Sequence, residues 1–457
     1  MKIYESKIFD GVNSVLALIQ NKFDAVRQNS FLLLNIDYLI LFFLLLTFFV
    51  ATFGTTGMIG AVSIFVPLLV GLKTLMTKGE KIEIEQCNFF ILIYLLICFI
   101  SNFTSSLPDK SFYGFSKTFV YIIFYFALCQ FFKSNKKYLY IVAVLFFVAL
   151  LVSAESVIGI IQDSLGLENI STWQDTSYVN EEDVLTRVYG TLKPYNPNLF
   201  AGFMLVGLPS VLGIGALFLQ KKKFVHAVVS LGFFFAGMLT LFLTGCRGAY
   251  IGLLSVLIGI VVASYNIIFK DIAVAKLKSV WKWLVALFAG GGVGFLMLNH
   301  GILQRIMSIF IMRGDSSTSF RMNVYHSAVQ MFQDNPVYGI GVGNKVFREI
   351  YGLYMLSGFD ALSCYCIYLE MAVESGIFSL IAYLLFVVSL LGAAVKTFFA
   401  CNDYKKKVLI FSAFAAILAV LIHGFVDTIY FRPQIQYLFW TMAAIAVSLV
   451  REEKTAL

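Results

Sequence analysis

The sequence predicts an all-α polytopic membrane protein with about twelve transmembrane helices and one large helical extracytoplasmic loop. Three observations predict it. The 457 residues are 60% hydrophobic and 13% charged, against roughly 25% charged in a soluble domain. Apolar runs of about twenty residues, the length a helix needs to cross a bilayer, recur along the chain. Basic residues gather in alternate connections between those runs, as expected of a chain that crosses back and forth.

Residues 1–35, including "MKIYESKIFDGVNSVLALIQNKFDAVRQNS", are mixed and amphipathic, with no apolar core or small-residue site of a cleavable signal peptide. They read as an interfacial helix lying on the membrane surface. Nine spans are expected within 36–300: 36–55, 57–73, 86–101, 113–132, 138–162, 197–219, 224–244, 248–269 and 283–300. The first two are joined by the tight turn "FGTTGM". Residues 301–365 form the one large loop, and 366–450 hold three more spans, at 366–396, 407–424 and 435–450. Residues 451–457 are a cytoplasmic tail.

With the N-terminus inside, 23 of the 34 basic residues fall in cytoplasmic segments, so both termini are assigned to the cytoplasm of a bacterial inner membrane. Lysine and arginine divide unequally. Of nine arginines, only Arg27 and Arg451 are inside, whereas Arg187, Arg247, Arg305, Arg313, Arg321, Arg348 and Arg432 are outside. Of 25 lysines only Lys110, Lys117, Lys193 and Lys345 are outside. A guanidinium is a planar fork of donors matched to phosphate or carboxylate oxygens, whereas an ammonium is a compact hydrated charge. The outer face is therefore expected to handle an anion. Arg247 stands out, because "FLTGCRGAY" places it among glycines between two apolar runs, where a charge is costly unless it has something to hold.

Within the long loop, "SSTSFRMNVYHSAVQMFQDNP" predicts a helix near 318–334, capped by Ser/Thr and stopped by Pro336, with Met322, Tyr325, Val329 and Phe332 on its apolar face. This helix should cap the cavity that Arg247 and Arg321 converge on. Gly339, Gly341 and Gly343 follow, either as a tight turn with close backbone packing or as a bare wall that a sugar or phosphate can approach. The earlier outer loop ends "RVYGTLKPYNPNLFAG", with Arg187, Lys193 and Asn196 or Asn198 at the rim and Tyr178, Tyr189 and Tyr195 as anchoring or sugar-stacking aromatics. The seven scattered cysteines lack zinc-ligand spacing and read as small apolar fillers, so neither metal nor cofactor is expected.

Three stretches together resemble the O-antigen ligase and O-antigen polymerase family of membrane glycosyltransferases: "LTGCRGAYIGL", "RMNVYHSAVQMFQDNPVYGIGVGNKVF" and "ALSCYCIYLEMAVESGIFSLIAYLLF", in that order. The resemblance covers about 186–440. It implies transfer of a glycan from a polyprenyl-pyrophosphate carrier to a hydroxyl of a lipid or glycan acceptor, at the extracytoplasmic face, without metal or nucleic acid. It also implies that Arg247 and Arg321 contact the pyrophosphate, with Arg187 and Arg432 as further candidates. Ligases of the family typically carry a histidine–asparagine pair before "xYLE"; here those positions are Tyr365 and Cys366. In this respect the chain looks closer to a branch common in cyanobacteria and sometimes described as bicarbonate transporters.

The base must then come from elsewhere. Glu370 and Glu374, four apart, are intramembrane carboxylates that could serve, or could pair with Arg321 or Arg247. His423 and Asp427, also four apart, would share a helix face as an oriented proton acceptor. Tyr365 is a poorer base, since an unperturbed phenol has a pKa of about 10. Two other functions compete with the enzyme: a small-anion transporter of the bicarbonate type, and a non-catalytic lipid-glycan binding protein. A transporter should have two related halves and charges near the midplane. No internal repeat is visible, and the charges gather at the outer rim.

Overall fold

The computed structural model describes residues 7–167, 187–267, 290, 316–356 and 360–451. Among these the chain is helical: α1 (Lys7–Gln28), α2 (Phe31–Leu34), α3 (Ile36–Ala51), α4 (Thr56–Ser63), α5 (Phe65–Met76), α6 (Gln86–Thr104), α7 (Pro108–Phe131) and α8 (Lys137–Ser164). Then follow α9 (Pro197–Gln220), α10 (Phe224–Leu243), α11 (Arg247–Asn266), α12 (Ser316–Asp334), α13 (Asn344–Tyr351), α14 (Ile367–Ala400), α15 (Tyr404–His423) and α16 (Pro433–Arg451). Ten of the described helical segments, counting Thr56–Met76 as one, are long and apolar enough to cross a membrane, and Ile36–Ala51 is a shorter apolar helix. The chain is thus an all-α multi-pass membrane protein. The span expected at 283–300, and with it Arg305, Arg313 and Tyr178, lies outside the described residues.

The centre of the bundle is α16, buried from Pro433 to Val450 and packed against α7, α14 and α15. Around it α15 packs against α9 and α11, and α9 against α8 and α10. Two polar side chains of α16 reach partners across the bundle: the Gln434 amide nitrogen donates to the Lys193 carbonyl at 2.9 Å and Ser448 to that of Phe132 at 2.9 Å. A central helix can carry such groups only when neighbours satisfy them, because hydrocarbon offers no substitute.

At one end of the bundle α1 lies across the turn between α5 and α6. Asn13 exchanges two hydrogen bonds with the Ile82 main chain, at 2.8 and 3.1 Å, and Gln20 donates to the Thr74 carbonyl at 2.8 Å. At the other end, α12 and α13 share a small core with the start of α14: Val324, Ala328, Met331, Ile340, Val346, Phe347, Tyr351 and Val373. The stripe on α12 that faces this core is Val324–Ala328–Met331. Of the expected face, Phe332 packs against this core and Tyr325 is half-buried, whereas Met322 and Val329 are exposed. Small residues decide this, since Ser327 and Ala328 let α12 come close to the loop behind it, and Ser327 bonds the Tyr354 carbonyl at 2.8 Å.

The helix α14 is interrupted at Gly376, whose φ of 79° only glycine adopts without strain. The strap 336–342 fills the gap. Ile340 and Gly341 donate to the carbonyls of Val373 and Glu374 at 2.9 and 3.0 Å, and Ile377 donates to that of Pro336 at 2.9 Å. Irregular backbone at this depth is tolerated because protein covers it. The glycines of the strap serve that contact. A side chain at Gly339 would strike the Glu374 main chain, one at Gly341 would strike Ser105, and one at Gly343 would meet the Gly114 α-carbon at 2.9 Å. The space beside them is filled by the chain itself, which matches the first of the two readings, a turn with close backbone packing.

Candidate functional site

Five segments far apart in sequence meet where the helices α9, α11, α14, α15 and α16 begin or end: Arg187–Asn198, Thr244–Gly248, Arg321, Ser363–Ile367 and His423–Thr428. The hub is Asp427, in the turn after α15. Its carboxylate accepts from the Asn198 amide at 2.8 Å and from the Thr428 main chain at 2.7 Å, and lies 3.8 Å from the Arg321 guanidinium. Arg321, in the first turns of α12, also donates to the Val426 carbonyl at 2.9 Å and sits 5.4 Å from the centre of the Tyr365 ring. Tyr365 has a left-handed backbone, φ 54°, and its carbonyl accepts from the Tyr325 hydroxyl at 3.2 Å. Burial and the Asp427 charge hold the Tyr365 phenol above its ordinary range despite Arg321.

Arg187 reaches the same hub from the other side. It donates to the Thr244 carbonyl at 2.6 Å and to the Asn198 side chain at 2.5 Å, and through Asn198 it is linked to Asp427. Both its partners are neutral oxygens, and burial lowers its pKa. The segment that carries it is latched onto α8: Gln162 accepts from Gly190 at 2.9 Å, and the buried Glu155 accepts from Thr191 at 3.1 Å. Of the two rim asparagines, Asn196 caps α9 and Asn198 joins the hub.

Arg247 begins α11, half-buried, at the turn Thr244–Gly248. Its neighbour Gly248 has no room for a side chain against Val426 and His423, and Arg321 donates to the Val426 carbonyl of the same turn. Arg432 is exposed just before α16, and Arg348 pairs with Asp360 on the loop surface.

The carboxylates differ from expectation. Glu370 accepts from the Cys364 main chain at 3.1 Å and pairs with no arginine among the described residues. Glu374 is buried where the strap crosses α14. His423 and Asp427 do not share a helix face, because α15 ends at His423 and the turn begins at Gly424. The imidazole Nε2 instead lies 3.4 Å from the Cys246 sulfur, and Nδ1 is buried with no hydrogen-bond partner among the described residues. Cys246 was expected to be filler, and Asn198 was one of two alternatives. The signal for Cys246 was its place between Gly245 and Arg247, in a motif already singled out for its charge.

Residues 231–384, roughly a third of the chain, match the family model described as O-antigen ligase. A comparison with curated proteins finds no match. The matched stretch contains Cys246, Arg247, Arg321 and Tyr365, whereas Arg187, Asn198, His423 and Asp427 complete the cluster from outside it. Residues 231–384 therefore form a domain of the O-antigen ligase family, carried in a multi-pass membrane protein.

Proposed function

We propose that the chain transfers a glycan from a polyprenyl-pyrophosphate carrier to an acceptor hydroxyl, at the extracytoplasmic face of a bacterial inner membrane with both termini in the cytoplasm. The observation that carries this reading is the charge balance at the hub. Two guanidiniums, Arg321 and Arg187, converge on a single carboxylate, Asp427, and Arg187 reaches it only through neutral Asn198. Such a cluster is electrostatically incomplete without an anion, and the forked donors of arginine fit phosphate oxygens. Arg247 and Arg432 are further contacts for a ligand of that size. A pyrophosphate is a good leaving group, so the protein need only hold it, stabilise its developing charge and remove the acceptor's proton.

Glu370, Glu374, His423 and Asp427 are the candidate proton acceptors in this reading, all buried near the ends of α14 and α15. The experiment is reconstitution in lipid with a polyprenyl-pyrophosphate oligosaccharide and a panel of acceptor glycans. Transfer that is lost in Arg321→Ala, without loss of fold, supports the reading. Transfer unaffected by Arg321→Ala and Arg187→Ala together refutes it.

A further inference from the structure

We propose that Lys117, Lys345 and Tyr113 form a headgroup site for an anionic phospholipid, at the end of the bundle opposite α1. The site holds no residue of the hub, so it goes beyond the glycosyl-transfer reading and does not rest on it. Two segments bring it together. Tyr113 and Lys117 lie about one turn apart on α7, and Lys345 is in the first turn of α13. The Lys117 ammonium lies 4.5 Å from the centre of the Tyr113 ring and the Lys345 ammonium 4.3 Å. The two charges are therefore no more than about 9 Å apart, close to the distance over which physiological salt screens them.

The main chain fixes this placement. The Ser111 hydroxyl accepts from the Val342 amide at 2.8 Å, a side chain at Gly114 would strike the Val342 carbonyl, and Lys110 pairs with Glu349 on α13. These contacts press the start of α13 onto α7 and carry Lys345 over Tyr113. The three lysines are not neutralised alike. Lys110 has Glu349. Among the described residues Lys117 and Lys345 have no carboxylate within ion-pair distance, although the exposed Asp109 stands one turn before Tyr113. An aromatic face attracts a cation but carries no net charge, so one ring shared by two ammoniums leaves both charges open. Tyr113 is 50% exposed and Lys345 is exposed, so a ligand can reach them.

The surroundings select a lipid. The helix α7 is long and apolar enough to cross a membrane, and Tyr113 stands near its end, where aromatic rings meet the headgroups. Beside and beyond Tyr113 the exposed face of α7 is apolar, with Phe112, Phe119 and Ile123 at helical spacing. The exposed Phe103 of α6 flanks it, its ring centre 5.3 Å from that of Phe112. Phe119 lies about 9 Å beyond Tyr113 along the helix axis, and Ile123 about 15 Å. A phosphate held between the two ammoniums would lay its acyl chain along Phe119 and Ile123. Basic side chains at a membrane rim hold lipid phosphates in this manner, whereas a soluble anion would leave the aromatic face unused. Because Lys117 belongs to the bundle and Lys345 to the small loop core, the lipid would clamp α13 to α7.

The test uses the full chain in neutral detergent micelles and reads hydrogen exchange of the α13 amides, Asn344–Tyr351, as phospholipid is added. In the wild type, protection should need about 30-fold less phosphatidylglycerol than phosphatidylcholine, about 5-fold for each lysine beside the phosphate. Lys117→Gln and Lys345→Gln should each lower that preference about 5-fold, and the double variant should abolish it. Lys117→Arg/Lys345→Arg keeps both charges and should keep most of the preference. Lys405→Gln, at the opposite end of the bundle, should leave it unchanged. An equal response of the wild type to both lipids would overturn the proposal without recourse to any variant. An unchanged preference in the double Gln variant would also overturn it. So would protection by inorganic phosphate at the same concentration as phosphatidylglycerol, which would make this a site for a free anion. Protection by an acidic oligosaccharide in place of the lipid would overturn it in favour of a glycan site.

Discussion

The two ends of the bundle handle charge in opposite ways. Where α1 lies, cations meet acids within the chain. Lys73 is buried between Asp37 at 2.9 Å and Glu80 at 3.3 Å, and Arg451 binds Glu83 and, at 3.1 Å, Glu85. At the opposite end the rim also has closed pairs, Lys110–Glu349 and Arg348–Asp360, whereas at the hub the single carboxylate of Asp427 serves more than one arginine. There two arginines converge on Asp427, with carbonyls and an amide supplying the remaining bonds. Charges closed on each other fix a fold; charges left open on one side fit a ligand.

Substitutions that open the closed end or empty the open one sharpen this contrast. The largest effect is expected for Arg321→Ala, which should weaken binding of the lipid-linked donor by about 2–5 kcal/mol, the usual cost of removing one partner from a desolvated charge contact. Equilibrium binding in nanodiscs would measure it. Next is Lys73→Met at the closed end. It leaves Asp37 and Glu80 without their cation and should lower unfolding stability by about 2–3 kcal/mol, discounted for the partial exposure of both acids. Donor affinity should not change; a loss of affinity there would remove the distinction between the ends.

Gly341→Ala tests the part of the arginine end that is structural. The new side chain would strike Ser105 from a backbone at φ 114°, so stability should fall by about 1–3 kcal/mol, read as a lower Tm. The smallest effect is expected for Tyr365→Leu, which removes the ring beside Arg321. Donor affinity should drop by about 0.5–1 kcal/mol, the value of a cation–π contact that is only partly desolvated.

The sequence makes the bundle legible and the hub only partly so. Span length and polarity are local properties, so α6 through α11 and α14 through α16 lie near their expected positions. The concentration of arginine on one side is likewise a matter of counting. What cannot be read locally is how segments meet. A four-residue spacing places His423 and Asp427 on one face only if the helix continues, and α15 stops at His423. The face of α12 is set by the close approach allowed by Ser327 and Ala328, not by its largest apolar residues. Gly339, Gly341 and Gly343 invite a ligand on paper, yet the broken helix at Gly376 needs their backbone. Cys246 acquires a partner only because the turn before α11 folds against the end of α15.

The central claim is that Arg187 and Arg321 leave an anion site open at the hub. The most direct measurement compares the affinity of the nanodisc-embedded protein for a polyprenyl pyrophosphate and for the uncharged polyprenol of the same length. The account predicts that the wild type prefers the pyrophosphate, that added salt reduces the preference, and that Arg187→Ala/Arg321→Ala abolishes it while Lys73→Met retains it. A double variant that still prefers the pyrophosphate as strongly as the wild type would contradict the account.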